Sequence, residues 1–441
     1  MLNRFKKITL LLGDLVCLHL ALVLTLVIRY RQTLWLDNWT SHWPIFWLVF
    51  IIWLLILYIN DLYNLNLRPV SRKFFRSTGQ AALISSVLSI FYFYINASTS
   101  ITPKTNLVLF SVIFLILFLV WRSLYQMAIH SWLKKETLAI IGSNQLAEKL
   151  IAEIKDNPGS GYQAALILKD HSELATFPEQ IKIQNIHTIV VCDDFGRGEK
   201  ISAVLFACLA YNVNFFNYPN FYELLTGKIP VEAIGPDWFI ENIKEGEKNY
   251  FNFTKQLMDF SAALIILAVS LIFWPLIALF IKLTSPGPVF FYQKRLGKQE
   301  KIFKLIKFRT MRTVNNDLTP TIENDGRITG FGSFLRTTRL DEIPQVLNIL
   351  KGEMSFIGPR PERPEIAQEL EKQIPFYKTR LLIKPGLTGW DQVSGKYHSP
   401  SLTDSLEKLQ YDLFYLKRRS IYLDLSIILK TLATIVSRSG R

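Results

Sequence analysis

The sequence predicts a membrane protein of mixed α and α/β class. Four N-terminal transmembrane helices come first, then a Rossmann-like α/β domain, then a mainly helical monotopic domain with a re-entrant membrane helix. Three observations carry this expectation. Half of the 441 residues are hydrophobic, and they fall into long blocks. The middle of the chain alternates strand-like and helix-like stretches. The formal net charge is +14, and residues 250–441 hold 28 Lys plus Arg against 17 Asp plus Glu. At ~100–200 residues per domain, a chain of this length divides into two or three.

Residues 1–128 read as the four-helix transmembrane domain. Apolar segments lie at roughly 8–28, 43–60, 79–96 and 104–121. Each approaches the ~20 residues that cross ~30 Å of hydrocarbon. Arg4, Lys6 and Lys7 precede the first, which lacks a small-residue cleavage pattern, so it reads as an anchor and not a cleaved signal peptide. Arg68, Arg72, Lys73 and Arg76 lie between the second and third, and Arg122, Lys134 and Lys135 follow the fourth. The positive-inside rule then puts the N-terminus, the 61–78 loop and everything after residue 122 in the cytoplasm. Arg29 and Arg31, in the first outer loop, run against this.

Residues 130–245 read as the α/β domain. TLAIIG (137–142), AALILK and HTIVVCDD are strand-like, and QLAEKLIAEIK is helix-like. Such alternation implies a parallel sheet. The turn Gly142-Ser143-Asn144 is like a dinucleotide fingerprint without its second glycine, the one that lets backbone approach a pyrophosphate. Two readings stay open: a structural or regulatory domain without cofactor, or a nucleotide-binding one. Cys17, Cys192 and Cys208 lie far apart and form no disulfide framework or CxxC pair. The six histidines form no HExxH, which argues against zinc.

GEKNYFNFT (246–254) reads as a linker into the domain at 250–441. A fifth apolar run, 260–281, follows. Lys248 and Lys255 lie before it and Lys282, Lys294 and Arg295 after it, so a crossing would put the basic third outside. Pro275 sits within the run, where proline removes a helical hydrogen bond. A re-entrant helix over about 256–283, broken near Trp274-Pro275, reconciles these facts; a kinked fifth span is the other reading. Stretches at about 365–383 and 421–437 are amphipathic helices, suited equally to the membrane interface or to a soluble core.

Within the basic third lies TRLDEIPQ (338–345), where Asp341 and Glu342 are adjacent. Arg336 and Arg339 stand just before them. Lys307 and Arg309 lie in KFRTM, Arg360 between Pro359 and Pro361, Lys384 in KPGLTGW, and Asp412 in KLQYDLFY. Few carboxylates among many fixed cations suit a polyphosphate. Carboxylates hold Mg²⁺, and Mg²⁺ with Arg and Lys offsets phosphoryl charge. A carboxylate also attacks phosphorus to form an acyl phosphate. Asp341, before Pro344 and a helical QVLNIL, is equally placed to cap a helix. The long apolar blocks favour an anionic membrane surface over nucleic acid as the partner of the positive charge.

These residues carry a resemblance. Pro275, QKRLG (293–297), FKLIKFRTM (303–311), LRTTRLDEIPQVLNILKGEMSFIGPRPE (335–362), KPGLTGWDQVSG (384–395) and KLQYDLFYLKRRSIYLDLSIILKT (408–431) run in order through nearly all of 250–441. The last third resembles the bacterial sugar transferases, the monotopic phosphoglycosyl transferases that use polyprenyl phosphate. With its N-terminal spans and α/β domain, the chain is similar to the long-form members.

The resemblance implies transfer of a sugar 1-phosphate from a UDP-sugar to undecaprenyl phosphate, releasing UMP, as the first membrane step of exopolysaccharide, capsule or O-antigen synthesis. It implies a ping-pong reaction with Asp341 as nucleophile. Glu342 assists with Mg²⁺ and positioning, and Lys307, Arg309, Arg336, Arg339 and Arg360 bind phosphate or polyprenyl phosphate. Asp412 belongs to the metal or charge network, Pro359 and Pro361 shape a loop, and Lys384 and Gln392 face the nucleotide sugar. It further implies the bacterial cytoplasmic membrane, a catalytic domain on its cytoplasmic face at the inner leaflet, and a homodimer. Two positions depart from the pattern: Trp274 where many members have Ser, and Asp391 where Ala is frequent. Two other functions compete. A membrane-anchored nucleotide-sugar-modifying enzyme would need Tyr-x-x-x-Lys, which the chain lacks. A regulatory scaffold would not need the intact Asp341, Glu342 and Arg360.

Overall fold

The computed structural model describes residues 2–30, 35–60, 62–63, 71–95, 103–132, 135–142, 144–157, 160–168, 176–192, 199–312, 325–394 and 401–437. The chain folds as two units, 1–221 and 222–441.

The first unit begins with helices α1 (Leu2–Tyr30), α2 (Trp35–Ile59), α3 (Arg72–Ile95) and α4 (Pro103–Trp132). Their core is an aromatic stack of Phe46, Phe50, Trp53, Phe110, Phe114 and Phe118. The backbone of Gly13 lies so close to the Trp121 indole that a Cβ there would meet it at 2.0 Å. Next to this contact, Arg122 Nη2 donates to Asp14 Oδ2 at 2.7 Å, both buried. A buried pair of this kind ties two helices where neither charge is tolerated alone.

Among the described residues, four helical stretches are long and apolar enough to cross a membrane: Lys6–Tyr30, His42–Ile59, Asn106–Met127 and Pro236–Leu271. Three coincide with expected N-terminal spans; the fourth holds most of the fifth apolar run. The expected segment 79–96 forms α3 but is not among the four. Serines lower its apolar character, and they face other helices. Trp53 Nε1 donates to Ser89 Oγ at 3.2 Å, and the hydroxyls of Ser86 and Ser111 are 3.1 Å apart. Such hydrogen bonds join helices within a bilayer.

Strands β1 (Glu136–Ile141), β2 (Tyr162–Leu168), β3 (Thr188–Val191) and β4 (Asn214–Asn217) form one sheet in the order β2-β1-β3-β4, all parallel. Between them run α5 (Gln145–Asp156), α6 (Phe177–Ile183) and α7 (Glu199–Cys208). The turn after β1 contains Gly142 at φ 131°, a conformation suited to glycine. Asn144 then caps α5, its side chain accepting from Ala147 N and donating to Cys192 O. Ser143, the middle of the expected fingerprint, lies outside the described residues.

The second unit starts within α8 (Tyr218–Thr226), earlier than the expected 245/250 boundary. Ile229 and Val231 are buried in the same core as Leu409, Leu413 and Leu416. Ile229 N donates to Gln410 O at 3.0 Å, and Glu223 pairs with Lys417 and Arg418. After α9 (Pro236–Asn242), the expected linker is helical: a 3-10 turn at Glu245–Lys248 leads into α10 (Asn249–Leu271). Lys248 Nζ donates to the carbonyls of Leu416 and Lys417.

The helix breaks at Ile272 and Phe273 and resumes as α11 (Trp274–Thr284), with Pro275 in its first turn. A proline there forfeits no helical bond. Trp274 Nε1 donates to Ser270 Oγ at 3.2 Å, four residues earlier in α10. The antiparallel hairpin β5 (Phe290–Leu296) and β6 (Ile302–Phe308) follows, and the Trp274 ring meets Phe290 and Phe308 edge-on. Then come α12 (Gly330–Thr337), a 3-10 segment Leu340–Gln345, α13 (Val346–Leu350), β7 (Ser355–Ile357) and α14 (Pro364–Gln373). A second 3-10 turn, β8 (Gly386–Thr388), α15 (Trp390–Ser394), α16 (Leu402–Arg418) and α17 (Ile421–Ser437) complete the unit.

The expected 365–383 helix stops at Gln373 and resumes as the 3-10 turn Tyr377–Leu382. Pro375 falls between them, and Ala367, Ile374 and Tyr377 are core residues. Along α17, Ile427 is buried while Ile421, Tyr422, Leu425, Ile428 and Leu432 are exposed.

Candidate active site

Two elements build the acid pair's surroundings. Strand β6 carries Lys307, and the 3-10 segment Leu340–Gln345 carries Asp341 and Glu342. Arg339 starts that segment in the left-handed region, φ 59°. The two are joined by Asn348, a residue that motif reading did not single out. It is completely buried; its Oδ1 accepts from Ile306 N at 3.1 Å, and its Nδ2 donates to Lys304 O and Glu353 Oε2. The side chain thus extends the β6 hydrogen-bond ladder and fixes the helix segment against the residue next to Lys307.

Glu342 is the electrostatic centre. Lys307 Nζ donates to its Oε1 at 2.8 Å, Arg360 Nη2 donates to the same oxygen at 3.3 Å, and Arg339 Nη1 lies 3.8 Å from it. Burial alone would raise this carboxyl, but Lys307, Arg360 and Arg339 outweigh it and hold it well below the usual range. Glu342 is therefore anionic at neutral pH.

Asp341 has different surroundings. It is buried, makes no capping bond, and its Oδ1 has no hydrogen-bond partner among the described residues. Burial, with the Glu342 charge beside it, pushes its carboxyl up to about 6 against the pull of Lys307, Arg336 and Arg339. A buried, unpartnered carboxylate oxygen is costly for folding. Two adjacent acids are thus driven apart: one locked as an anion, one poised near neutrality.

The other expected site residues divide. Arg360 lies beside the pair, half-exposed, with buried Pro359 and Pro361 on either side. Arg336 is half-buried and donates from Nε to Thr310 Oγ1 at 2.9 Å. Arg309 turns away: its Nη1 and Nη2 donate to the carbonyls of Pro286 and Ser285, which secures the end of α11. Asp412 is buried with Arg380 Nη2 2.8 Å from its Oδ2. Burial pushes its carboxyl up to about 7, against Arg380 and with a further push from Asp391. Lys384 sits by the Gly352 turn, and Gln392 accepts from Gly389 N in its own turn. Among the described residues, no three His, Cys, Asp or Glu side chains cluster as a ready metal site.

Fold and site together define a class: a membrane protein whose basic domain is built around a buried carboxylate pair. The bacterial sugar transferase family pattern matches residues 250–438. A UDP-glucose:undecaprenyl-phosphate glucose-1-phosphate transferase of Xanthomonas campestris pv. campestris is 38% identical over 271 residues, 59% of this chain and 55% of that protein. A UDP-N-acetylgalactosamine-undecaprenyl-phosphate N-acetylgalactosaminephosphotransferase of Aeromonas hydrophila is 35% identical over 238 residues, 53% of this chain and 55% of that protein. The chain spans about half the length of these two curated relatives. The exopolysaccharide production protein PSS of Rhizobium leguminosarum bv. phaseoli is 40% identical over 184 residues, 40% of this chain and 90% of that protein. The chain belongs to the bacterial sugar transferase family.

Proposed function

We propose that this protein transfers a hexose 1-phosphate from a UDP-sugar to undecaprenyl phosphate, as the first membrane step of exopolysaccharide, capsule or O-antigen synthesis. One observation carries the reading: Asp341 keeps a buried carboxylate oxygen without a partner among the described residues, beside a Glu342 whose Oε1 faces three cations. The activities named for the Xanthomonas and Aeromonas relatives support it.

In the first half-reaction, an Asp341 oxygen attacks the β-phosphorus of the UDP-sugar. The new P–O bond forms as the bond to the α-phosphate oxygen breaks, and UMP leaves with that electron pair. In the second, a phosphate oxygen of undecaprenyl phosphate attacks the same phosphorus and Asp341 leaves. Arg336, Arg339 and Arg360, whose charges act on the acid pair, offset charge on the phosphoryl oxygens. Lys307 holds Glu342 in place. The donor set fits Mg²⁺, which is commonly bound by one or two carboxylates together with substrate phosphates. Glu342, held as an anion by Lys307, Arg360 and Arg339, is the carboxylate of the pair that would hold the ion together with substrate phosphates. When bound, the ion supplies charge neutralisation on the diphosphate.

The same reading sets the topology: the cytoplasmic membrane, with the basic unit on the cytoplasmic face. We take α10–α11 as a re-entrant helix. Supporting this are the break at Ile272 and Phe273, basic flanks at Lys255 and Lys282, and exposed apolar side chains on both arms, among them Leu264, Ile265, Val269, Leu276 and Leu279. We take the α/β part of the expected 130–245 domain, strands β1 to β4 with the helices between them, as Rossmann-like, a reading supported by the parallel order β2-β1-β3-β4.

The test is UMP release from the purified protein given Mg²⁺, undecaprenyl phosphate and a panel of UDP-glucose, UDP-galactose and UDP-N-acetylhexosamines. One or more sugars release UMP, and Asp341→Asn releases none. Release of none by the unmodified protein, or turnover retained by Asp341→Asn, would sink the reading.

A further inference from the structure

The loop Pro359–Arg360–Pro361–Glu362 is held at every carbonyl. Pro359 O accepts from Gly386 N at 2.9 Å, Arg360 O from Arg380 Nη2 at 3.1 Å, Pro361 O from Arg295 Nη1 at 2.9 Å, and Glu362 O from Leu296 N at 3.0 Å. The two prolines have fixed φ and no N–H. Two of the four donors are arginine side chains reaching in from opposite sides, one from the turn Tyr377–Leu382 and one from β5.

Neither arginine is free to meet a substrate. Arg380 is 3% exposed: its Nη1 donates to Tyr377 Oη at 2.7 Å, and its Nη2 lies 2.8 Å from Asp412. Arg295 donates from Nε and Nη2 to Gln293 Oε1. The fork of a guanidinium bonds a carbonyl and a counter-group at once, which an ammonium on a flexible stem does not reproduce. What projects from the loop they hold is the Arg360 side chain, 40% exposed and 3.3 Å from Glu342.

We propose that Arg380 and Arg295 are positioning residues for Arg360, acting through the carbonyls of its own loop. Asp412 then serves this arrangement as the counter-charge of Arg380. The proposal rests on the phosphoryl-transfer reading, in which Arg360 faces substrate phosphate.

The test is a double-variant cycle on kcat/KM for UMP release, with Arg380→Lys and Arg360→Lys singly and together. A misplaced catalytic group costs about 100-fold per Å, so Arg380→Lys is expected to lose about 10–100-fold in the wild-type background. In the Arg360→Lys background the further loss is expected to be under about 3-fold, because coupled residues are not additive. Should Arg380→Lys fail to fold, Arg295→Lys takes its place in the same cycle with the same expectation. Independent losses that multiply overturn the proposal. A second readout needs no turnover: amide exchange of residues 357–363 rises in Arg380→Lys while that of the β5–β6 hairpin stays at the wild-type level. Unchanged exchange in 357–363 also overturns the proposal. A wild-type protein that releases no UMP from any UDP-sugar fails the transferase reading instead, an outcome distinct from multiplicative losses in an active enzyme.

Discussion

Replacing Lys307 by Met tests the electrostatics of the site most sharply. Lys307 and Glu342 are 2.8 Å apart, with side chains 21% and 10% exposed. At that separation and an effective dielectric near 20, the gross attraction is about 6 kcal/mol. Burial of the two charges offsets part of it. Breaking a buried pair by removing one partner costs about 3–5 kcal/mol, because the remaining charge is uncompensated. Arg360 and Arg339 still face Glu342, but both are over a third exposed and contribute no more than about 1 kcal/mol each. With about 1 kcal/mol retained from each, the expected loss is about 1–3 kcal/mol. For a unit of this size each kcal/mol moves the melting temperature by ~2–4 °C, so the shift is about 2–12 °C. Tryptophan fluorescence melts of the protein in lipid nanodiscs, at one scan rate, measure it. The double variant Lys307→Met with Glu342→Gln is expected to recover most of the loss, since no charge is left buried. A Lys307→Met melt within 2 °C of wild type, or a double variant as unstable as the summed singles, would contradict a stabilising Lys307–Glu342 pair.

Other expectations follow from the same geometry. Asp391 is buried with Oδ1 unpartnered among the described residues, and burial raises its carboxyl above the usual aspartate value. The folded state then keeps a proton that the unfolded chain releases, so stability falls as pH rises from the unfolded value of 3.8 toward the folded one. Asp391→Asn mimics the protonated form: melting should match wild type near about pH 4 and exceed it increasingly above, and a gap that does not widen with pH contradicts this. Asn348→Leu leaves Ile306 N–H and Lys304 C=O unpaired and should cost about 2–4 kcal/mol in denaturant melts. Ile229→Ala empties a fully buried position in the second unit's core and should cost about 2–4 kcal/mol there; a neutral result would detach residues 222–248 from that core.

Much of this was legible in the sequence for definite reasons. Long apolar blocks and the strands at TLAIIG and AALILK announce themselves by period and composition. Asp341 and Glu342 stand out because two acids lie among bases. The rest depends on tertiary contact. Arg309 and Arg360 look alike in sequence, yet one turns to backbone carbonyls and the other to Glu342. Asn348 reads as a polar residue in a helical run, and only the neighbouring strand makes it the ladder's extension. Residues 222–248 have no charge run or repeat that assigns them to the second unit; their partners lie far along α16. Pro375 sits in the expected 365–383 helix and marks where it stops. The serines of α3 lower its apolar character, and only the packed helices show Ser86 and Ser89 bonding to their neighbours.

A nucleophilic Asp341 would leave a covalent intermediate that can be trapped. The protein is incubated with Mg²⁺ and its UDP-sugar without undecaprenyl phosphate, quenched, digested and examined by mass spectrometry. A phosphosugar adduct on the peptide carrying Asp341, formed with stoichiometric UMP and discharged on adding undecaprenyl phosphate, is the expected result. UMP that appears only when acceptor is present, or an adduct on any other residue, would contradict it.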